Sequence, residues 1–163
     1  MQSLCIVALL LATSTPAVPA QASAVDLVIV YKQQRQMVLL RQGKQLKSYR
    51  VALGGEPVVP KTRQGDRRTP EGSYILDSRN AHSHFYKAYH ISYPNAKDIA
   101  AARRLGVSPG GDIMLHGLPK EYAWVGNAQS LHDWTDGCVA VTNEEMDEIW
   151  QLVAVGTPIE IKP

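Results

Sequence analysis

Two residues in this chain are of the right type and spacing to do acyl-transfer chemistry. Cys138 stands in "HDWTDGCVAV" (residues 132–141), where a polar, glycine-containing turn gives way to an apolar alternating run. His116 ends the run "DIMLH" and is followed by Gly117, and 138 − 116 = 22 residues separate the imidazole from the thiol. Two neighbouring strand ends can bring such groups within hydrogen-bond reach, the arrangement of a cysteine nucleophile with an adjacent base. A free thiol with a pKa near 8.5 is only a few per cent thiolate at neutral pH. A thiolate–imidazolium pair would raise that fraction. Gly137, lacking a side chain, would let a substrate carbonyl approach, and N–H groups near Gly137 and Cys138 could line an oxyanion hole. The bland alternative is that Cys138 is a small buried hydrophobe, the commoner role of a free cysteine.

Other candidates have competing explanations. His132 is nearer to Cys138 in sequence and is an alternative base, but it does not end a predicted strand beside a glycine. His82, His84 and His90 invite a metal reading, yet no carboxylate stands at ligand spacing, so neither a metal nor another cofactor is expected. His90 and Tyr93 can line a cleft or serve as strand residues packed on the sheet. Lys61, Arg63, Arg67 and Arg68 can attract an anionic substrate or be ordinary solvated charges. Asp133 fits a cap or turn.

The elements that must position these groups are short. Strands are expected over residues 25–31, 37–41 and 46–53, the last two joined in a hairpin at Gln42-Gly43-Lys44. Residues 56–72, with three prolines and clustered charge, read as an extended surface loop. Further strands are expected at 73–77, 88–93, 112–116 and 138–142, with a closing strand carrying Ile159 and Ile161 on one face. A helix over 95–106 is capped by Asn95 and stopped by Gly106. A second starts at the Thr142/Glu145 capping box and carries Met146, Ile149, Trp150 and Val153 as a core stripe. The sum is an α+β, mainly β domain.

Composition bounds the function. The 163 residues are 45% hydrophobic with a net charge of +2, which suits one globular domain and gives no footprint for nucleic acid. The apolar run at residues 4–12, then small residues and a cleavage site near Ala22 or Ala24, predict a leader over 1–24 and an exported domain over 25–163. No Lys or Arg precedes the run, and an uncleaved anchor is the alternative. Cleavage would remove Cys5 and leave Cys138 as a lone thiol in an oxidising compartment.

"IMLHGLP", "TDGCVAVTN" and "GDRRTPEGSYIL" resemble the His-Gly, Ser/Thr-x-Gly-Cys and Thr-Pro-x-Gly motifs of the L,D-transpeptidase catalytic domain, the YkuD-like family. "HISYPN" and "GVSPGGDIM" resemble its smaller YafK-like subgroup. The resemblance implies a compact β-sandwich or barrel with two or more short helices. It also implies a cysteine acyl-transfer enzyme of the bacterial envelope or periplasm. Such an enzyme cleaves a peptidoglycan stem peptide after the L-centre of diaminopimelate, and passes the acyl group to another stem or to a lipoprotein lysine. Its thiol would be open to acylation by carbapenems, and a monomer is expected.

By this match Cys138 is the nucleophile, His116 the general base and Gly137 the oxyanion turn. The backbone carbonyl of Gly117 would orient the imidazole. Asp136, His90, Tyr93 and Arg68 are candidate substrate contacts. Asp136 stands where the broad family has a histidine, which opens the alternative of a hydrolase that releases lipoprotein or a D-amino acid. A peptidoglycan-binding module without catalysis is a third reading.

Overall fold

A computed structural model describes residues 24–163; the expected leader and Cys5 lie outside them. Eight strands form one curled sheet in the order β3-β2-β1-β8-β4-β5-β6-β7, where β1 is Leu27–Tyr31, β2 Gln36–Arg41, β3 Lys44–Arg50, β4 Gly72–Ser83, β5 Tyr86–Ile91, β6 Met114–His116, β7 Val139–Ala140 and β8 Pro158–Lys162. Two pairings are parallel, β1 with β8 and β6 with β7, and the others are antiparallel. The β2–β3 hairpin turns on Gln42 and Gly43, both at positive φ, as a two-residue turn between right-twisted strands requires.

The long strand β4 joins the two halves. Its first residues, Gly72–Ile75, pair with β8, and those from Leu76 to Ser83 pair with β5. Sheet curvature then brings the outer strands together. Ala52, just past β3, exchanges two backbone hydrogen bonds of 3.0 and 2.9 Å with Ala140 of β7. The result is a mostly β half-barrel whose two edges touch.

Among the described residues three helical segments accompany the sheet. Helix α1 (Ala96–Arg104) and helix α2 (Asn143–Leu152) each begin with a full capping box, Asn95 with Asp98 and Thr142 with Glu145. Met146 and Ile149 of α2 are fully buried against Tyr89, Leu115 and Val139. Burying an aliphatic side chain of that size stabilises by about 1.5–3 kcal/mol. Trp150 lies at the edge of this core, 5.1 Å from Tyr89 and beneath the Arg79 guanidinium. The third segment, a 3-10 run at Lys120–Leu131 broken at Gly126, fills the stretch between the strands expected at 112–116 and 138–142. Among the described residues no helix is long and apolar enough to cross a membrane.

The segment 56–72 is tied down more firmly than an extended surface loop. Lys61 and Asp66 form a nearly buried pair at 2.8 Å, and Asp66 also accepts from the backbone of Thr62, Arg63 and Arg68. Burial pushes the Asp66 carboxyl up, but the Lys61 bond and those N–H groups outweigh it and hold it at about 2. Lys32 reaches the same segment from the sheet, donating to the Thr69 carbonyl and pairing with Glu71 at 2.7 Å. A buried ammonium must be matched in this way.

Candidate active site

Strand pairing decides which side chains share a face. Ser78 pairs with His90 and Asn80 with Ala88, then Ala88 with His116 and His90 with Met114. His116 pairs with Ala140 and Leu115 with Val139. Paired residues point to the same side of a sheet and alternate residues to opposite sides. Tyr89, Leu115 and Val139 therefore face the core, where all three are fully buried. His90, Met114 and His116 face the other way, and extending the register by one residue puts Cys138 beside Met114. On that face lies a cavity of about 340 Å³ whose walls include His116, Cys138, His90, Asp112, Ser78 and Phe85.

His116 is 2% exposed. Its Nδ1 lies 2.7 Å from the Gly117 carbonyl oxygen. A carbonyl can only accept, so Nδ1 carries the proton and Nε2 holds the lone pair. The Phe85 ring lies tilted against it at 4.5 Å, and Trp134 meets it edge-on at 5.8 Å. This apolar casing disfavours an imidazolium. Burial lowers the His116 pKa from its ordinary 6.5 to about 4, with the Gly117 carbonyl opposing. Gly117 itself has no room for a side chain, since a Cβ would lie 2.5 Å from the Asn143 Oδ1 that accepts from Leu118 N.

Cys138 is half-buried, and its Sγ lies 3.7 Å from the Asp112 carbonyl and 3.4 Å from Met114 N. Burial raises the thiol pKa most. The Met114 N–H and the Lys61 charge pull it down, while Asp136 and Asp112 push it further up. Both shifts run against the thiolate–imidazolium pair that the sequence suggested. They favour a neutral thiol and a neutral imidazole with a free lone pair in the same cavity, suited to general-base transfer as the thiol attacks.

The turn before Cys138 also differs from expectation. Gly137 sits at φ 129°, and a Cβ on it would lie 2.5 Å from the Arg68 carbonyl oxygen. The missing side chain makes room for the backbone of Arg68, not for substrate. Its N–H is taken by the Thr135 hydroxyl at 3.1 Å, and that hydroxyl donates to the Cys138 carbonyl at 2.8 Å. Gly137 therefore shapes the turn, and its own N–H is not aimed at an oxyanion.

A second cleft, of about 540 Å³, opens on the other side of Cys138. It is lined by Lys61, Gln64, Arg67, Gly110, Asp112 and Asp136, among others. Asp136 is 93% exposed there, with Arg67 Nε 3.7 Å away. Arg67 and Asp112 both have φ of 55°, an uncommon conformation for residues with a Cβ.

Tyr93 and Arg68 are two further expected substrate contacts. Tyr93 is 3% exposed, packs edge-on against Tyr74 and donates to the Pro109 carbonyl, so it is a core residue. Arg68 presents its backbone to Gly137, and its neighbour Arg67 lines the cleft. His90 does line the Cys138 cavity, with Nδ1 2.7 Å from Asp77.

His132 lies in a different wall. It borders an apolar groove of about 500 Å³ between the 3-10 segment and the β4–β5 turn, with Phe85, Leu118, Tyr122, Val125 and Trp134. Asp133 anchors Arg35 and the Leu53 N–H. Among the described residues no three His, Cys, Asp or Glu side chains are grouped to hold a metal ion. Phe85, Trp134, Asp112 and Asn143 are site residues that sequence reasoning did not single out, whereas Arg67 was among the basic residues expected to meet an anionic substrate. Trp134, Asp112 and Asn143 stand within the runs "HDWTDGCVAV", "GVSPGGDIM" and "TDGCVAVTN" that drew attention for other reasons.

A thiol at the start of a strand, a carbonyl-pinned histidine on the neighbouring strand and a curled half-barrel define a class. The chain belongs to the YkuD family of L,D-transpeptidase catalytic domains, which matches residues 25–161. Among curated proteins it is 33% identical over 131 residues to YafK of Escherichia coli strain K12, provisionally named an L,D-transpeptidase. That match covers 76% of this chain and 45% of YafK, so the chain spans about half the length of the curated relative.

Solved structures share the fold. The helical cell shape determining protein Pgp2 of Campylobacter jejuni superposes with a TM-score of 0.65 at 23% identity, over 85% of this chain and 48% of that one. An L,D-transpeptidase from Mycobacterium smegmatis does so with a TM-score of 0.56 at 14% identity, over 86% of this chain and 59% of that one.

Proposed function

We propose that this protein is a cysteine acyl-transferase that acts on peptidoglycan stem peptides at the L-centre of diaminopimelate, in the envelope or periplasm after export. The observation that carries this reading is the His116 tautomer. Nδ1 is committed to the Gly117 carbonyl, so Nε2 is the basic nitrogen, in the cavity that also holds Cys138. As Sγ attacks the stem carbonyl, its proton passes to Nε2 and then to the departing amine. A thioester remains. An amine or water then attacks the thioester, gives its proton to the same nitrogen, and Sγ leaves with that proton. His116 is thus base and acid in turn.

A hydrolytic outcome, including release of a lysine-linked lipoprotein, is favoured by one observation. Asp136 is exposed in the cleft beside Cys138 and can orient water by accepting a hydrogen bond. Both outcomes share the thioester. A non-catalytic binding module would need neither the pinned histidine nor the thiol.

The test is mass spectrometry of sacculi digested with the protein, with and without an added amine acceptor. Stem products cut after diaminopimelate are expected from the wild type and none from Cys138→Ser. Equal products from both proteins would refute the reading.

A further inference from the structure

We propose that His90, held by Asp77, is a second base in the Cys138 cavity, taking a proton from an ammonium acceptor before it attacks the thioester. The inference rests on the acyl-transfer reading above and adds a residue that reading does not use.

The geometry is a dyad facing the same space as the thiol. His90 Nδ1 lies 2.7 Å from Asp77 Oδ1. A carboxylate only accepts, so Nδ1 carries the proton and Nε2 of the neutral ring is basic. His90 pairs with Met114, the residue beside Cys138, while His116 lies one pair further along the same face. Both histidines line the one cavity. The charged and titratable groups around the dyad are Asp77 and Arg79 of β4, Asp112 ahead of β6, His116 and Cys138.

Proton balance gives the second histidine its task. A lysine-type acceptor arrives as an ammonium with an ordinary pKa near 10.4, so only about one molecule in 2,500 is free amine at pH 7. Forming the amide removes two protons from that nitrogen. One passes through His116 to Sγ as the carbon–sulfur bond breaks. The other must leave before attack, because an ammonium has no lone pair. His90 Nε2 accepts it, and a ring 28% exposed can hand it on to solvent. Water as acceptor has only one proton to lose during attack, so hydrolysis runs on His116 alone. His90 is therefore a catalytic residue for aminolysis, and Asp77 is its positioning residue.

The experiment follows aminolysis and hydrolysis on one donor, a disaccharide tetrapeptide containing diaminopimelate, with Nα-acetyl-lysine amide as acceptor, from pH 6 to 9.5. Wild type, His90→Gln and Asp77→Asn are compared, with intact-protein mass spectrometry for the thioester. With His90→Gln the thioester still forms, and the ratio of aminolysis to hydrolysis falls. Aminolysis at pH 7 falls about 10–100-fold, within the range of a positioned base, and recovers toward wild type at pH 9.5 as the acceptor loses its own proton. Asp77→Asn shows the same pH pattern with a smaller loss. An equal loss of both products at every pH, or no loss of aminolysis, would overturn the proposal while leaving the Cys138 chemistry in place. If the wild type forms no thioester, the acyl-transfer reading fails and this inference fails with it.

Discussion

The resting protonation state of the Cys138–His116 pair follows from burial and can be measured directly. With His116 near 4, about 0.1% of the imidazole is protonated at pH 7. Burial also pushes the thiol above its ordinary value, so thiolate at pH 7 falls below the few per cent of a free cysteine. The perturbation is a pH titration from 3.5 to 10 on wild type and Cys138→Ser. The difference in absorbance near 240 nm reports thiolate, and the His116 ring protons in an NMR spectrum report the imidazole. Expected are no thiolate signal from pH 4 to 8, a rise above pH 9, and an imidazole midpoint near 4. Alkylation of Cys138 by iodoacetamide should climb about tenfold per pH unit through neutrality, because only thiolate reacts. A thiolate signal present at pH 6 and lost near pH 4 would mean a preformed ion pair. It would refute the argument that the casing of Phe85 and Trp134 governs the site.

Three further outcomes are expected. His116→Ala should lose about 10²–10⁴-fold in thioester formation, and His132→Ala less than about tenfold, since His132 borders the apolar groove instead of the thiol cavity; stopped-flow acylation by a carbapenem ranks them. Gly137→Ala should lower stability by about 1–3 kcal/mol in urea unfolding, because its φ of 129° and the Arg68 carbonyl both oppose a Cβ. Asp136→His should shift the ratio of hydrolysed to cross-linked product on a single donor toward cross-linking; an unchanged ratio at full turnover would make Asp136 a turn residue only.

The sequence made the helices and the central strands legible because their signals are local. The Thr142/Glu145 box and the Asn95 cap each mark a helix start within four residues. Cys138 and His116 stood out for the same reason, each a reactive side chain beside a glycine. What stayed hidden depends on distant backbone. Strand β4 runs on to Ser83 through "DSRNAHS", a polar stretch whose exposed ribbon is held by pairing with β5 and shows no apolar alternation. The 3-10 segment has no periodic face to read. The role of Gly137 is set by a carbonyl sixty-nine positions earlier, at Arg68. Arg67 and Arg68 are chemically alike, yet Arg67 lines the cleft while Arg68 turns its carbonyl to Gly137.

The meeting of Ala52 with Ala140 bears on when the candidate nucleophile becomes organised. These residues are 140 − 52 = 88 positions apart, and closing so long a loop costs entropy that only the finished contact returns. Strand β7 has two residues and pairs on one side with the three-residue β6, so the Ala52 bridge is a large share of what anchors it. The hairpin β2–β3 and the β4–β5 ribbon can assemble from neighbours in the chain, whereas the Cys138 turn must wait for the first and last strands of the sheet to find each other. The same order holds in reverse. Under mild denaturant this seam should open while the helix-backed core still holds, so the thiol site should lose its geometry before the molecule unfolds as a whole.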